Sequence, residues 1–203
     1  MLKYPLGKVD HDIFERKTFD EGQRSVWDSL RLPLPPITPD LDGIRDAQAN
    51  MTEKHQRQIE KEQKLEPTIM RFAPNSKETR AITTALHYME PFAYRTKLLY
   101  ARARPDQFGV KPSIKTPLHP SYPSGHAMQA YTVRDVMTCL QPAKKAHFEE
   151  VAEDIAYNRV RAGVHYPSDS KVSSELIAQL RCPIMRHLAD RKMVPESCTC
   201  KKN

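Results

Sequence analysis

Long apolar runs are missing from this chain. No window approaches the roughly 20 apolar residues that a membrane span needs. The N-terminal MLKYPLGKVDHDIF lacks the apolar core of a secretory leader. The expectation is an intracellular protein with no transmembrane span. Strand patterning is missing too: nowhere do apolar and polar residues alternate for long enough to make a half-buried strand, and no internal repeat is present. Basic residues are plentiful but not clustered. The formal net charge is +7, yet Lys and Arg are interleaved with acids. That argues against a nucleic-acid partner and leaves a mild positive field that attracts phosphorylated small molecules or lipid phosphates. The four cysteines, Cys139, Cys182, Cys198 and Cys200, have the spacing of neither a zinc ribbon nor a disulfide framework. Cys198 and Cys200 stand in a polar, lysine-ending tail that reads as a disordered terminus; soft-metal binding and oxidation are the other options there. Glycine is scarce, six in 203 residues, so the place of each one is informative.

What is present is helical. Residues 1–42 read as an irregular segment, because Pro33, Pro35, Pro36 and Pro39 oppose helix and central strand. Residues 43–190 read as one helical domain and 191–203 as a polar tail. A polar helix over 44–66, with sparse apolar positions (Ile44, Met51, Ile59, Leu65), is expected to stop at Pro67. It would lie exposed or against a partner, as a dimer contact or a lid. Asn75 and Glu78 form a capping-box pair. Ile82, Ala85, Leu86 and Met89 then give a helical stripe that Pro91 should kink or break, and Phe92, Thr96, Leu99, Tyr100 and Ala103 continue it to Pro105. A proline-rich loop follows over 105–123. Three further helices carry stripes through His126–Leu140, Phe148–Ala162 and Val172–Leu180, the last ending before Pro183. The predicted architecture is an all-α bundle.

Several polar side chains fall on these apolar faces. Arg159 is in register with Ile155 and Ala162, and a buried guanidinium needs an anion; a buried Arg–carboxylate pair is the plain explanation. Lys97 and Arg104 share one edge of a helix, which by itself reads as a solvated basic edge. His126 follows Pro123-Ser124-Gly125. Ser124 suits an N-cap, Gly125 lets a ligand approach the backbone, and a helix's first turn offers free N–H groups to an oxyanion. His165 follows Gly163 at a helix end. Asp169, four residues on, can reach one imidazole nitrogen and leave the other as a nucleophile; a capping carboxylate beside a surface histidine is the plainer alternative.

Together these residues form a pattern: Lys97 with Arg104-Pro105, then Pro123-Ser124-Gly125-His126, then Arg159, His165 and Asp169. The strings SYPSGHA (121–127) and AGVHYPSD (162–169) belong to it. The pattern resembles the three-part signature of the type 2 phosphatidic acid phosphatase and vanadium haloperoxidase superfamily, departing from it in having Asn158 where Ser commonly precedes the third-motif Arg. The resemblance implies an all-α fold and a metal-independent phosphatase. In that reading His165 attacks phosphorus, Asp169 orients it, and His126 serves as acid and then base. Lys97, Arg104, Arg159, the Ser124 hydroxyl and the Gly125 N–H hold the phosphoryl oxygens. It also implies that the substrate supplies the anion for Arg159. No cofactor is needed, and vanadate is expected as an inhibitor. The same resemblance allows a vanadate-dependent haloperoxidase, for which His119 occupies a position where bromoperoxidases carry histidine. A non-catalytic phosphate-binding protein of the same fold is a third reading. A zinc site from His119, His126, His165 and Asp169 ranks last, because three nearby cations would repel a metal ion.

Overall fold

The computed structural model describes residues 19–200, and in that span it is helical with no β-strand. We number its helices α1 (Glu21–Ser29), α2 (Asp42–Ala49), α3 (Glu53–Lys61), α4 (Leu65–Met70), α5 (Ser76–Tyr100), α6 (Gly125–Leu140), α7 (Lys145–Arg161) and α8 (Pro167–Ala189). Helix α6 is the central element. Ala127, Met128, Ala130, Tyr131, Val133, Val136 and Met137 are all buried along it, and it packs against α5, α7 and α8. A helix buried on most sides needs no strong amphipathic stripe. Asn75 caps α5 as expected: its Oδ1 accepts from Lys77 N and Glu78 N, and Glu78 returns the bond to Asn75 N.

The prolines behave differently from expectation. Helix α5 runs through Pro91 and α8 runs through Pro183 without a break. Proline forfeits one backbone bond in a helix, but Met89, Phe92 and Ala93 on one side, and Leu180, Ile184 and Met185 on the other, are buried in the main core. Packing holds each helix continuous across its proline. The stripe of α5 ends at Tyr100, not at Ala103; Ala101 takes a left-handed conformation (φ 45°) and Leu99 is exposed. Lys97 is therefore on the helix and Arg104 beyond it, so they share no helical edge.

The N-terminal part is also more ordered than expected. Residues 1–18 lie outside the described span, but Asp20 and Gln23 form a capping box that starts α1, and only the proline stretch after it is irregular. The single helix expected over 44–66 is three short ones. Thr52 caps a fresh start at α3 by accepting from His55 N, and Pro67 falls in the first turn of α4, where its missing N–H costs no helical bond. Apart from a narrow buried face they are largely exposed, as the sparse apolar positions predict. Ile44 and Ala47 pack with Val110, Val160 and Tyr166, and Ile59 packs with Ala162 and Val164. Helices α2 and α3 thus clasp α7 and the turn that follows it.

The tail corrects the reading of the cysteines. Cys139 is joined to Cys198 and Cys182 to Cys200, with Cα–Cα separations of 5.7 and 5.4 Å. Residues 191–200 are stapled to α6 and α8, and Val194 is buried. The sequence spacing was uninformative because each pairing crosses from a helix to the tail. Disulfides persist in oxidising surroundings, which runs against the intracellular expectation; among the described residues no helix is long and apolar enough to cross a membrane. Cys139→Ser, opening the bridge that spans a separation of 59 residues, is expected to lower the unfolding free energy by about 4 kcal/mol on the loop-entropy scale. Urea denaturation without reductant measures it, and an unchanged midpoint would show that this bridge does not form.

Candidate active site

The turn between α7 and α8 places the central histidine. Gly163 holds φ 72°, and a Cβ there would come within 2.7 Å of Gln48 Nε2 and 3.3 Å of Pro112 Cα. Glycine is required on both counts. The chain then swings His165 inward and restarts at Pro167. Asp169, in the first turn of α8, accepts from Tyr166 N at 3.1 Å and lies 3.0 Å from His165 Nδ1 on the same oxygen. Asp169 is fully buried and His165 nearly so. A proton on Nδ1 satisfies the carboxylate and leaves the Nε2 lone pair free, where Arg104 Nη1 donates at 3.3 Å. Burial first, and then the Arg104 charge, hold the imidazole well below its ordinary pKa, although Asp169 opposes them. Burial pushes Asp169 up, but the His165 hydrogen bond, the Arg102 charge and the Tyr166 N–H outweigh it and hold the carboxyl below its usual value. The dyad is a neutral imidazole beside a carboxylate.

Arg104 is completely buried and extensively engaged. Its Nε donates to His119 O at 2.7 Å, Nη1 to Val164 O at 2.7 Å, and Nη2 to His119 Nδ1 at 3.0 Å. Nδ1 also lies 3.2 Å from Pro120 O, so the same ring nitrogen faces the Arg104 donor and a carbonyl acceptor. Burial, then the Lys97 and Arg104 charges, lower His119 to about 2. Lys97 is buried as well, not part of a solvated edge. Its Nζ donates to the carbonyls of Pro120 (2.8 Å), Ser121 (3.3 Å) and Pro123. Burial and Arg104 hold this ammonium well below its usual pKa. Lys97 therefore ties the loop that leads into α6. Ser124 is the N-cap of α6, its Oγ accepting from Ala127 N at 3.4 Å, and its own N–H reaches Asp169 O at 3.2 Å. At Gly125 an added Cβ would meet only Lys97 Cε, at 4.0 Å. The protein itself does not need glycine there; its value is to leave the wall of the cavity open beside the helix N-terminus.

That cavity holds about 110 Å³ and is lined by Lys97, His119, Gly125, His126 and His165, with Met89, Glu90, Ala93, Tyr94, Pro117 and Gln129 completing the wall. The volume is that of a few water molecules. His126 is half-buried and lines the cavity from the first turn of α6. Burial and then Arg159 lower it to about 3. A larger, more open cleft of about 420 Å³ between α6, α7 and α8 contains none of the candidate site residues, so size alone does not mark the site.

Arg159 has the buried carboxylate partner that its place on an apolar face calls for. Its Nη2 donates to Glu62 Oε2 at 3.2 Å, so an internal carboxylate already faces it. Glu62 is fully buried and also receives Asn158 Nδ2 (3.0 Å), Gln58 Nε2 (2.9 Å) and Arg71 Nη1 (2.7 Å). Arg159 Nε has no partner among the described residues. Sequence reasoning missed Glu62, since an acid in a polar helix gives no signal of burial. It also missed Arg102, whose Nη1 lies 2.6 Å from Asp169 Oδ1. Its position two residues before Arg104 was the available clue. Among the described residues no cluster of His, Cys, Asp and Glu is arranged to hold a metal ion. Breaking a buried charge network from one side is expensive. Glu62→Ala is expected to cost about 3–5 kcal/mol, against about 1 kcal/mol for the exposed pair partner Glu53→Ala, both read by chemical denaturation.

Comparison with known proteins places this geometry. A family model described as the PAP2 superfamily matches residues 80–178. Among solved structures the chain is similar to one titled "Crystal structure of the first bacterial vanadium dependant iodoperoxidase", with a TM-score of 0.59 and 16% sequence identity. The match covers 91% of this chain but only 56% of that one, so the likeness is one of fold. No curated protein matches the sequence.

Proposed function

Because this chain belongs to the PAP2 and vanadium haloperoxidase superfamily, we propose that it is a metal-independent phosphatase acting on phosphomonoesters, lipid phosphates or related pyrophosphates through a phosphohistidine on His165. The observation that carries the reading is the dyad: a buried imidazole whose Nδ1 is held by Asp169, in the wall of a small cavity that Lys97 and His126 also line. In the first step Nε2 forms a bond to phosphorus while the ester P–O bond breaks, and His126 gives its proton to the leaving oxygen. In the second, neutral His126 takes a proton from water. The water oxygen bonds to phosphorus, the P–N bond breaks, and inorganic phosphate leaves. Arg104, Lys97 and the N-terminus of α6 at Gly125 supply positive potential to the equatorial oxygens. Their donors are engaged by carbonyls and by His119, so a bound phosphoryl group exchanges with some of these bonds.

His126 is neutral above about pH 3 in this geometry. A phosphate dianion beside it offsets the cations that depress it, and its pKa rises on binding. The rate constant kcat is therefore expected to fall as pH rises through that elevated value. His126→Ala should remove this limb and cost about 10²–10⁴-fold with an alkyl phosphate, but much less with a nitrophenyl phosphate, whose leaving oxygen needs no proton. Equal losses on both substrates would refute the acid role.

A second reading has its own support. His119 lines the cavity, with its ring edge-on to Tyr94 at 6.0 Å between centroids, and the solved neighbour is an iodoperoxidase. The residues fit vanadate as they fit phosphate, and when bound it would supply peroxide activation. The deciding experiment measures phosphate release from nitrophenyl phosphate with and without vanadate, beside bromide and iodide oxidation by peroxide with vanadate. Phosphate release that vanadate inhibits, that chelator leaves unchanged and that His165→Ala abolishes is expected. Vanadate-dependent halide oxidation without phosphate release would select the peroxidase reading, and neither activity would select a phosphate-binding protein.

A further inference from the structure

Arg102 stands outside the motif pattern and outside the wall of the cavity, yet it is among the most buried cations of the chain, 3% exposed. It follows the left-handed Ala101 that ends α5, so the chain leaves the helix axis just before it. Its carbonyl accepts from Ser121 N at 3.0 Å, which fixes its backbone against the loop held by Lys97. Its guanidinium carbon sits 4.0 Å from the centre of the Tyr166 ring and 5.8 Å from that of Tyr122. One nitrogen, Nη1, donates to Ser168 Oγ at 2.8 Å and to Asp169 Oδ1 at 2.6 Å. Asp169 is thereby gripped from two sides: Oδ1 by Arg102, and Oδ2 by His165 Nδ1 and Tyr166 N.

The chemistry of a carboxylate with both oxygens committed is specific. Held by Oδ2 alone, Asp169 is free to rotate about its terminal torsion and is a buried anion with one titratable neighbour. A buried carboxylate facing an imidazole has two ways to become neutral: by taking a proton from solvent, or by drawing the Nδ1 proton across. Arg102 opposes both, because its charge favours the anion and its N–H group occupies the second oxygen. We propose that Arg102 is a positioning residue for the reaction: it keeps the Asp169 carboxylate ionised and aimed, so that His165 stays in the single tautomer that presents Nε2 to the cavity. The proposal rests on the reading of His165 as nucleophile, but the tautomer it predicts is a property of the protein itself.

Other groups bear on Asp169 and must be held constant. From α5 comes Lys97, from the segment after α5 Arg104, from the loop before α6 Tyr122, and from the α7–α8 turn His165 and Tyr166. None of them hydrogen-bonds Oδ1 through its side chain. Arg102 is the charged group that does.

The test uses the full chain with ¹⁵N-labelled histidine, the His165 signals being assigned by their loss in His165→Ala. In the natural protein His165 should show a protonated Nδ1 and an unprotonated Nε2 from neutral pH down into the acid range. Arg102→Met should mix the tautomers. It should also raise the acid limb of the nitrophenyl phosphatase profile to about pH 4 or above, toward and past the ordinary carboxyl value. The expected cost is up to about a hundredfold in kcat, with KM changed less than about twofold because the cavity wall is untouched. Arg102→Lys restores charge and should recover the tautomer and the limb. Arg102→Gln, which keeps an N–H but no charge, should behave like Met and replaces it if Met does not fold. A variant that melts earlier yet keeps the natural tautomer and acid limb would reduce Arg102 to a structural residue and overturn the proposal. Should the natural protein release no phosphate, the activity assigned above fails, while the nitrogen signals still decide the role of Arg102.

Discussion

A cation placed in a protein interior must find an anion or a set of carbonyl dipoles, or it will not stay charged. Four cations, Lys97, Arg102, Arg104 and Arg159, are no more than 3% exposed, and much of the architecture is the solution to keeping them there. Lys97 takes the carbonyls of the loop before α6. Arg104 takes those of His119 and Val164. Arg102 takes Asp169 from α8, and Arg159 takes Glu62 from beyond the end of α3. The proline-rich loop is irregular for this reason: residues 117–123 contribute carbonyl oxygens that a helix would have used internally. Asp169 and Glu62 answer Arg102 and Arg159, while Lys97 lines a cavity together with His165, His126 and the acid Glu90.

The same constraint accounts for the short helices at the start of the described span. Helices α2 and α3 bury Ile44, Ala47 and Ile59 against α7 and the turn after it, and that anchoring delivers Glu62 to Arg159. They are part of the site, although the PAP2 match begins only at residue 80. The disulfides act at the other end. They hold the tail to α6 and α8, the two helices whose first turns carry Gly125 and Asp169.

How much of this was legible in the sequence follows from distance along the chain. His165 and Asp169 are one helical turn apart, Ser124 and His126 share a helix start, and glycine marks both places; local spacing was enough to find them and the all-α class around them. Glu62 with Arg159 and Arg102 with Asp169 are contacts 97 and 67 residues apart. Nothing local names the partners, so the burial of Arg159 called for a carboxylate without identifying Glu62. The disulfides failed to show for the same reason. Pro91 and Pro183 were misread in the opposite direction. Their local preference is real, but burial on both sides outweighs one lost backbone bond, the usual way tertiary packing overrides propensity.

The charge arrangement cannot by itself choose between phosphoryl transfer and halide oxidation, because a tetrahedral phosphate and a tetrahedral vanadate make the same demands on Arg104, Lys97 and the start of α6. Discrimination has to come from the part of the wall that touches what lies beyond the oxyanion. Here that part is Met89, Ala93 and Tyr94 on α5, Pro117 and His119 on the loop, and Gln129 one turn after His126. A leaving group needs room in this direction and a proton from His126. A halide and peroxide need little room and a polar neighbour, and His119, whose Nδ1 faces Arg104 and the Pro120 carbonyl, has Nε2 to offer. The loop over 105–123 therefore has two functions, caging Lys97 with its carbonyls and setting with His119 what approaches the open side. Substitutions that alter the second without disturbing the first are the ones that move the activity within this fold.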